Sequence, residues 1–468
     1  MAAARIDEAD IQGDILRAYG NAYKCTSYAF VHLECPPEQA RSWFSGLLDH
    51  VTTAAPWTGP KPITTLNVAV TAAGLKALGV SDAVIGTFSR EFREGMCHPD
   101  RLRMLGDVGE SAPEHWDEGW KADEPPHVLL TINAKKPSDH EMALGKMRDA
   151  MKEAGGVRIV YQQNTELLKD SREHFGYADG FAQPAIEGSS EHRTHGGGVP
   201  ERDSRWRALA PGEFILGYPD EDTRDDPKKR LPKIPAVPLG RSGTYMVWRK
   251  LYQDVALWRR TMDDAAKLYP DGNAEKLAAK VVGRWPNGTP LITHPDKPDP
   301  NFDARSRRAN DFRYENDIEG LRCPVGAHIR RSNPRDALGR EAIGFDGELT
   351  FRHRMIRRGM PFGPELAKGV MEDDGVDRGF VFACFQASIA RQFEGVQVQW
   401  LNDGNIFGLG HDRDFLLGDP SGKGKMTIQG KPPYFLSPNK PFVKTRGGEY
   451  LFIPGMTALA ALADGTAG

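Results

Sequence analysis

The feature that most constrains this chain is a recurrence: the first 165 residues carry the same strand–helix–strand unit twice. "SYAFVHLEC", residues 27 to 35, reads as a buried strand. The helical stretch "PPEQARSWFSGLLDHV" follows, with Pro37 near its start and Trp43, Leu47 and Leu48 as its apolar positions. "TLNVAVT" (65 to 71) returns as a strand, and "AAGLKALG" reads as a short helix closed by Gly79. The order then repeats. "HVLLTIN" (127 to 133) is a strand, "SDHEMALGKMRDAMKEAGG" a helix, and "VRIVYQQN" the next strand. In that helix Ser138 and Glu141 have capping-box spacing. Met147, Ala150, Met151 and Ala154 fall on one face, and Gly155–Gly156 ends the helix. Two such units predict an α+β domain of ferredoxin-like type with an antiparallel sheet.

Residues 188 to 240 change character. "GSSEHRTHGGGVPERD" and "YPDEDTRDDPKKRLPKIPAVPLG" are dense in Gly, Pro and charge, and predict long surface loops between two domains. From Gly243 the earlier alphabet returns. "GTYMVWRKLYQDVALWRRTMDDAAKLY" runs from strand into amphipathic helix, "GFVFACFQAS" (379 to 388) is a second strand, and "GEYLFIP" (448 to 454) a third. A long insertion spans 283 to 342. A chain of 468 residues is long enough for two domains. The expected fold is α+β with antiparallel sheets, divided at 1–215 and 216–468; that both parts are ferredoxin-like domains is what the family resemblance given below implies.

Charge and cysteine usage narrow the function classes. Lys plus Arg number 61 against 64 Asp plus Glu, so nothing points to nucleic acid or an anionic membrane as partner. No run of 18 apolar residues occurs. "MAAARIDEADIQGDILRAYG" lacks an apolar signal core, so the expectation is a soluble cytoplasmic protein, with a removed secretory signal left open. The five cysteines (Cys25, Cys35, Cys97, Cys323, Cys384) form no C-x-x-C pair; they read as free thiols in a reducing compartment.

Four places carry chemistry. In "EHFGYADGFAQPAIEG" Asp179 stands between Gly176 and Gly180, among aromatics. Glycines permit an unusual backbone close to a ligand, but a turn aspartate explains the pattern as well. His328 in "LRCPVGAHIRRSNPRDALG" is a possible iron or zinc ligand, with a packed histidine as the plain alternative. A zinc site with Cys323 lacks a second ligand pair at finger spacing. In "FRHRMIRRGMPFGPE" a strand would put Arg352, Arg354 and Arg358 on one side, with His353 and Arg357 on the other; the alternative is a solvated charge run. Phe380, Phe382 and Cys384 alternate on one side of a strand, as core or as the wall of a flat ligand site.

These stretches together resemble the dye-decolorizing peroxidases, haem enzymes with two ferredoxin-like domains. "DIQGDILRAYG", "NVAVTAAGLKALG", "GYADGFAQP", "CPVGAHIRRSNPRD", "RRGMPFG" and "GEYLFIPG" appear in the family's order across residues 10 to 455. Length and loops are similar to the longer branch, with fungal and some bacterial members. The resemblance implies haem b, one per chain, bound in the C-terminal domain. Asp179 would be the distal acid–base residue and Arg357 the distal arginine. His328 would be the proximal iron ligand, and Asp414 in "RDFLLGDP" the candidate carboxylate behind it. Gly180, Arg357, Phe380 and Phe382 would contact the cofactor, the phenylalanines as distal wall.

The implied partners are hydrogen peroxide and bulky aromatic reductants such as dyes, phenols or lignin-related compounds, oxidised through a ferryl-oxo porphyrin radical. Two departures stand out. Phe362 occupies a place where many longer members carry tyrosine, which makes Trp400 a candidate radical relay. A phenylalanine also replaces the leucine common at the first wall position. The alternative reading is a haem-binding protein for storage, transfer or iron extraction with incidental peroxidase activity. Oligomeric state is not legible.

Overall fold

Four strands of the first half, Cys25–Leu33 (β1), Thr64–Val70 (β2), Val128–Ala134 (β3) and Val157–Glu166 (β4), pair antiparallel in the order β4-β1-β3-β2. This is the ferredoxin-like order expected from the two repeated units. The structure, a computed structural model, describes all residues except 1–5, 18, 20–21, 121–123, 191–194, 202–204, 225–227, 229–230, 340–346, 419–423 and 438–439. Parts of the predicted 188–240 loops and the end of the 283–342 insertion thus lie outside the described residues.

The second half repeats the plan. Thr244–Gln253 (β5) lies between Gly379–Gln386 (β8) and Val443–Ile453 (β9). Two short strands, Ile356–Arg357 (β6) and Met360–Phe362 (β7), both pair with β8. The order β9-β5-β8 with β6 and β7 at the edge reproduces the first half's order. The halves fuse where β9 meets β2, with Phe452 opposite Val70, giving one nine-stranded sheet.

Alternation along the strands divides the core. Ala29, Val31 and Leu33 of β1 join Val247 of β5 in a cluster under the helices Pro37–Ser45 (α1) and Pro137–Ala154 (α2). Tyr28 and Phe30 face the other way and meet Trp248, Phe362 and Phe385 of the second half. Inner faces of both halves therefore share one apolar layer, the arrangement that a sheet curved toward itself requires.

Helix α2 departs from expectation in two details. It begins at Pro137 with Lys136 at the cap position and no side-chain cap bond, so the Ser138–Glu141 capping box does not form. Proline is pre-organised for the first helical position and sets the start. The buried face is His140, Leu144, Met147 and Met151, and Ala150 is exposed.

The seam between the halves is narrow, and one buried side chain reinforces it. Gln12 is fully buried; its Nε2 donates to Val68 O (2.8 Å) and Pro454 O (3.0 Å), and its Oε1 accepts from Val68 N (2.8 Å). It acts as an extra rung joining β2 to the chain leaving β9. Gln12→Leu keeps the bulk but strands a buried N–H and two carbonyls. It should lower stability by about 2–3 kcal/mol, read as a lower urea midpoint at unchanged m-value.

Candidate active site

The loop holding Asp179 folds into a tight hairpin. Asp179 N–H donates to Ser171 O (3.1 Å) and Ala178 N–H to Pro286 O (3.0 Å). Gly176 and Gly180 both have positive φ, +100° and +83°, which a side-chain-bearing residue rarely adopts. The two glycines flanking Asp179 are thus required by the turn itself.

Arg357 reaches Asp179 from the other half of the molecule. β6 holds it opposite Cys384 of β8. Its Nη1 lies 3.3 Å from Asp179 Oδ1, and its Nη2 donates to Ala182 O at 3.3 Å. Gln183 locks loop and strand together, accepting from Arg357 N–H (3.0 Å) and donating to Arg357 O (2.9 Å). Burial pushes the Asp179 carboxyl upward, but the Arg357 charge and the Gly180 N–H outweigh it and hold it below the ordinary carboxylate range.

His328 opens the short helix His328–Ser332. Its Nδ1 lies 3.0 Å from Asp414 Oδ2, and Asp414 is buried. The other Asp414 oxygen accepts from the N–H groups of Leu416 (3.0 Å) and Leu417 (2.7 Å), which fixes the carboxylate. Burial disfavours a charged imidazole, but Asp414 outweighs it and raises the His328 pKa; burial likewise opposes ionisation of Asp414, and His328 reverses it. With Nδ1 engaged, Nε2 has no hydrogen-bond partner among the described residues.

One cavity of about 310 Å³ gathers His328, Asp179, Arg357, Phe380 and Phe382. A second hollow of about 880 Å³ adjoins it and shares Asp179, Arg357 and Phe380. Gly180 borders this second hollow and not the His328 cavity. Cys323 is fully buried in the core beside Ala327, and among the described residues no group of three or more His, Cys, Asp and Glu is arranged to hold a metal ion.

The basic run behaves as neither expectation held. The strand covers only Ile356–Arg357, preceded by the helical turn Glu348–Phe351, so simple alternation does not apply. Nor is the run solvated. Arg352 pairs with Glu213, Asp220 and Asp222, and Arg358 donates to the carbonyls of Asp14 and Ile15. Arg354 is 8% exposed, lines the His328 cavity and has no hydrogen bond or ion pair to its guanidinium among the described residues. Burial and the neighbouring Arg335 and Arg357 push its pKa down to about 9. Sequence reasoning missed Arg354 and Gln183; Gln183, four residues after Asp179 in the same motif, was the more visible of the two.

Trp400 is buried (1% exposed) in the π-helical stretch Val396–Leu401, its ring 4.7 Å from that of His353, which lines the cavity. It presents no surface for a bulky molecule.

These residues fit a haem. The cavity has apolar aromatic walls, an imidazole nitrogen available at one side and an ion pair elsewhere in its lining. A buried guanidinium without a carboxylate is costly, and a porphyrin propionate would supply one.

Residues 10–165 match the family model described as the DyP dimeric alpha+beta barrel domain. The chain is 27% identical to dye-decolorizing peroxidase msp1 of Mycetinis scorodonius, covering 98% of this chain and 88% of that one. It is 32% identical to the multifunctional dye peroxidase DyP2 of an Amycolatopsis species over 63% of this chain and 61% of the relative. A solved structure of an ancestral D-type dye-decolorizing peroxidase superposes with a TM-score of 0.82 at 27% identity, covering 98% and 99% of the two chains. Over nearly its whole length the chain is thus similar to dye-decolorizing peroxidases in sequence and in fold.

Proposed function

We propose that this chain is a haem peroxidase that uses hydrogen peroxide to oxidise aromatic molecules, with haem b as its cofactor and a boundary between its two ferredoxin-like domains near residue 215. The single observation that carries the reading is the Asp179–Arg357 pair sharing one cavity with a carboxylate-backed histidine.

Each residue has a derivable task. His328 Nε2 would ligate the iron. Asp414 at Nδ1 orients the ring and makes Nε2 a stronger donor. Arg354 and the neighbouring Arg335 would face the propionates. Phe380 and Phe382 supply apolar wall. Haem held by these residues would supply the redox chemistry, two-electron reduction of peroxide coupled to single-electron oxidation of an aromatic reductant.

Asp179 does the proton work. Arg357 keeps it ionised, so it can take the proton from one peroxide oxygen and return it to the other, which leaves as water. Arg357 stabilises the negative charge that develops on the departing oxygen, a contribution of about 3–4 kcal/mol by analogy with a single oxyanion-hole donor. A protein that only stored or carried haem would need His328 and Arg354 but gains nothing from this acid–base pair. Peroxide turnover compared with haem affinity tests the reading: tight haem binding with no peroxide-driven oxidation would overturn it.

Three outcomes are expected. His328→Ala should lose the Soret band or recover it only with added imidazole, as absorbance titration with haem would show. Arg354→Leu should weaken haem retention about tenfold or more in an apomyoglobin-transfer assay, because a charge-assisted contact is worth about 1.5–3 kcal/mol.

The third concerns pH. Asp179 has a lowered pKa in the folded chain, so its proton-accepting form persists into the acid range and is lost as pH falls through that lowered value. Arg357→Leu removes the largest influence opposing burial, leaving the Gly180 N–H and His328, and should move this limb to higher pH while slowing the peroxide-dependent Soret change at every pH. Asp179→Asn should abolish the limb altogether. Stopped-flow absorbance against pH reads both.

A further inference from the structure

Asp179 sits on a loop whose conformation depends on another acidic side chain. Every backbone N–H from 175 to 179 is paired. Phe175 donates to Glu173 Oε2 (2.9 Å) and Tyr177 to Glu173 Oε1 (2.9 Å). Gly176 donates to Glu173 O (2.9 Å), Ala178 to Pro286 O (3.0 Å) and Asp179 to Ser171 O (3.1 Å). Two of these five bonds, on either side of Gly176, end on the Glu173 carboxylate. Gln253 Nε2, at the end of β5, donates to Glu173 Oε2 at 2.7 Å and ties the carboxylate to the sheet.

The Asp179–Arg357 contact does not replace this brace. At 3.3 Å it is longer than the about 2.7–2.9 Å of a strong charge-assisted bond. Arg357 therefore tunes the Asp179 charge without gripping it. Gly176, at φ +100°, is the loop's point of greatest freedom, and Glu173 spans it.

We propose that Glu173 is a positioning residue for peroxide activation: its carboxylate, held by Gln253, sets the backbone of 175–177 and so places Asp179 against Arg357. The inference rests on the peroxidase reading above. Glu173 touches no reacting atom in this account; it acts through the two N–H groups it accepts. Loss of this brace lets Asp179 withdraw from Arg357, and the charge that holds its carboxyl low weakens with distance.

Glu173→Ala and Glu173→Gln test this. Both should melt within a few degrees of the parent and keep the Soret band. In haem-free protein, amide exchange at Phe175 and Tyr177 should accelerate in Glu173→Ala, while amides of β1 and β3 exchange as before. In the haem-loaded enzyme, kcat/KM for peroxide should fall about ten- to hundredfold with the dye KM unchanged. The acid limb of the peroxide step should move to higher pH. Glu173→Gln keeps one carbonyl acceptor and should fall between Ala and parent.

Parent values of kcat/KM and pH limb in Glu173→Ala would overturn the proposal, as would accelerated exchange with no kinetic change. If the alanine variant fails to fold, parent behaviour of Glu173→Gln in both measurements overturns it. Failure of the peroxidase reading is separable: the parent would then show no peroxide-dependent Soret change, while the exchange experiment on haem-free protein still reports on the loop.

Discussion

The contact between Asp179 and Arg357 is the interaction around which the molecule is arranged, because its partners come from opposite halves of the sheet. Asp179 follows β4 of the first unit; Arg357 lies on β6 of the second. Neither half alone can form the pair. Fusion of the halves at β2 and β9, the buried Gln12 rung and the shared apolar layer of Phe30, Trp248 and Phe385 serve the same end. They hold two loops in a register that neither loop could keep by itself. The site is more precise than loops usually are because Gln183 binds both backbone groups of Arg357.

Electrostatics explains why this cavity suits an anionic, flat cofactor. Arg284, Arg335, Arg354 and Arg357 all line it. Arg335 is satisfied by the carbonyls of Gly196, Asn310 and Phe312, and Arg284 by Gly288 and Asn310, so their bonds are met while their charges remain. The mutual repulsion of guanidiniums is visible in the lowered pKa values of Arg284 and Arg354, both pushed to about 9, chiefly by burial. Two propionates would relieve that repulsion, so binding of such a cofactor would also stabilise the fold.

Much of the scaffold was legible in the sequence because it rests on local periodicity. The strands at 25–33, 64–70, 128–134 and 157–166 announce themselves as apolar runs closed by helices and glycines. The capping box at Ser138 failed because Pro137 competes for the same helix start, a contest that spacing alone does not resolve. The basic run failed for a different reason. Strand alternation was applied across 352–358, but only two of those residues are strand. The fate of each arginine is set by partners far away in sequence, such as Glu213 for Arg352 and Asp14 for Arg358. Asp414 could be picked out as a carboxylate in a suitable motif, but its contact with His328, 86 positions away, is a tertiary fact.

The same distinction separates the two acidic residues of the opening motif. Asp179 is conspicuous because glycines flank it, and those glycines are there for the positive φ values. Glu173 has no such flag, and six residues earlier it reads as an ordinary surface glutamate. Its environment is the reverse of ordinary. Burial raises its pKa, against the pull of the Tyr177 and Phe175 N–H groups and Gln253, with the like charge of Asp179 adding to the rise. Two carboxylates close enough to sense one another are thus driven in opposite directions, Asp179 downward by Arg357 and Glu173 upward by burial. That divergence lets one loop carry two acidic residues in different states: one kept charged beside Arg357, the other accepting the backbone N–H groups that shape the turn. A turn built only from glycine and backbone bonds would leave Asp179 free to follow the solvent; a turn closed on the Glu173 carboxylate does not.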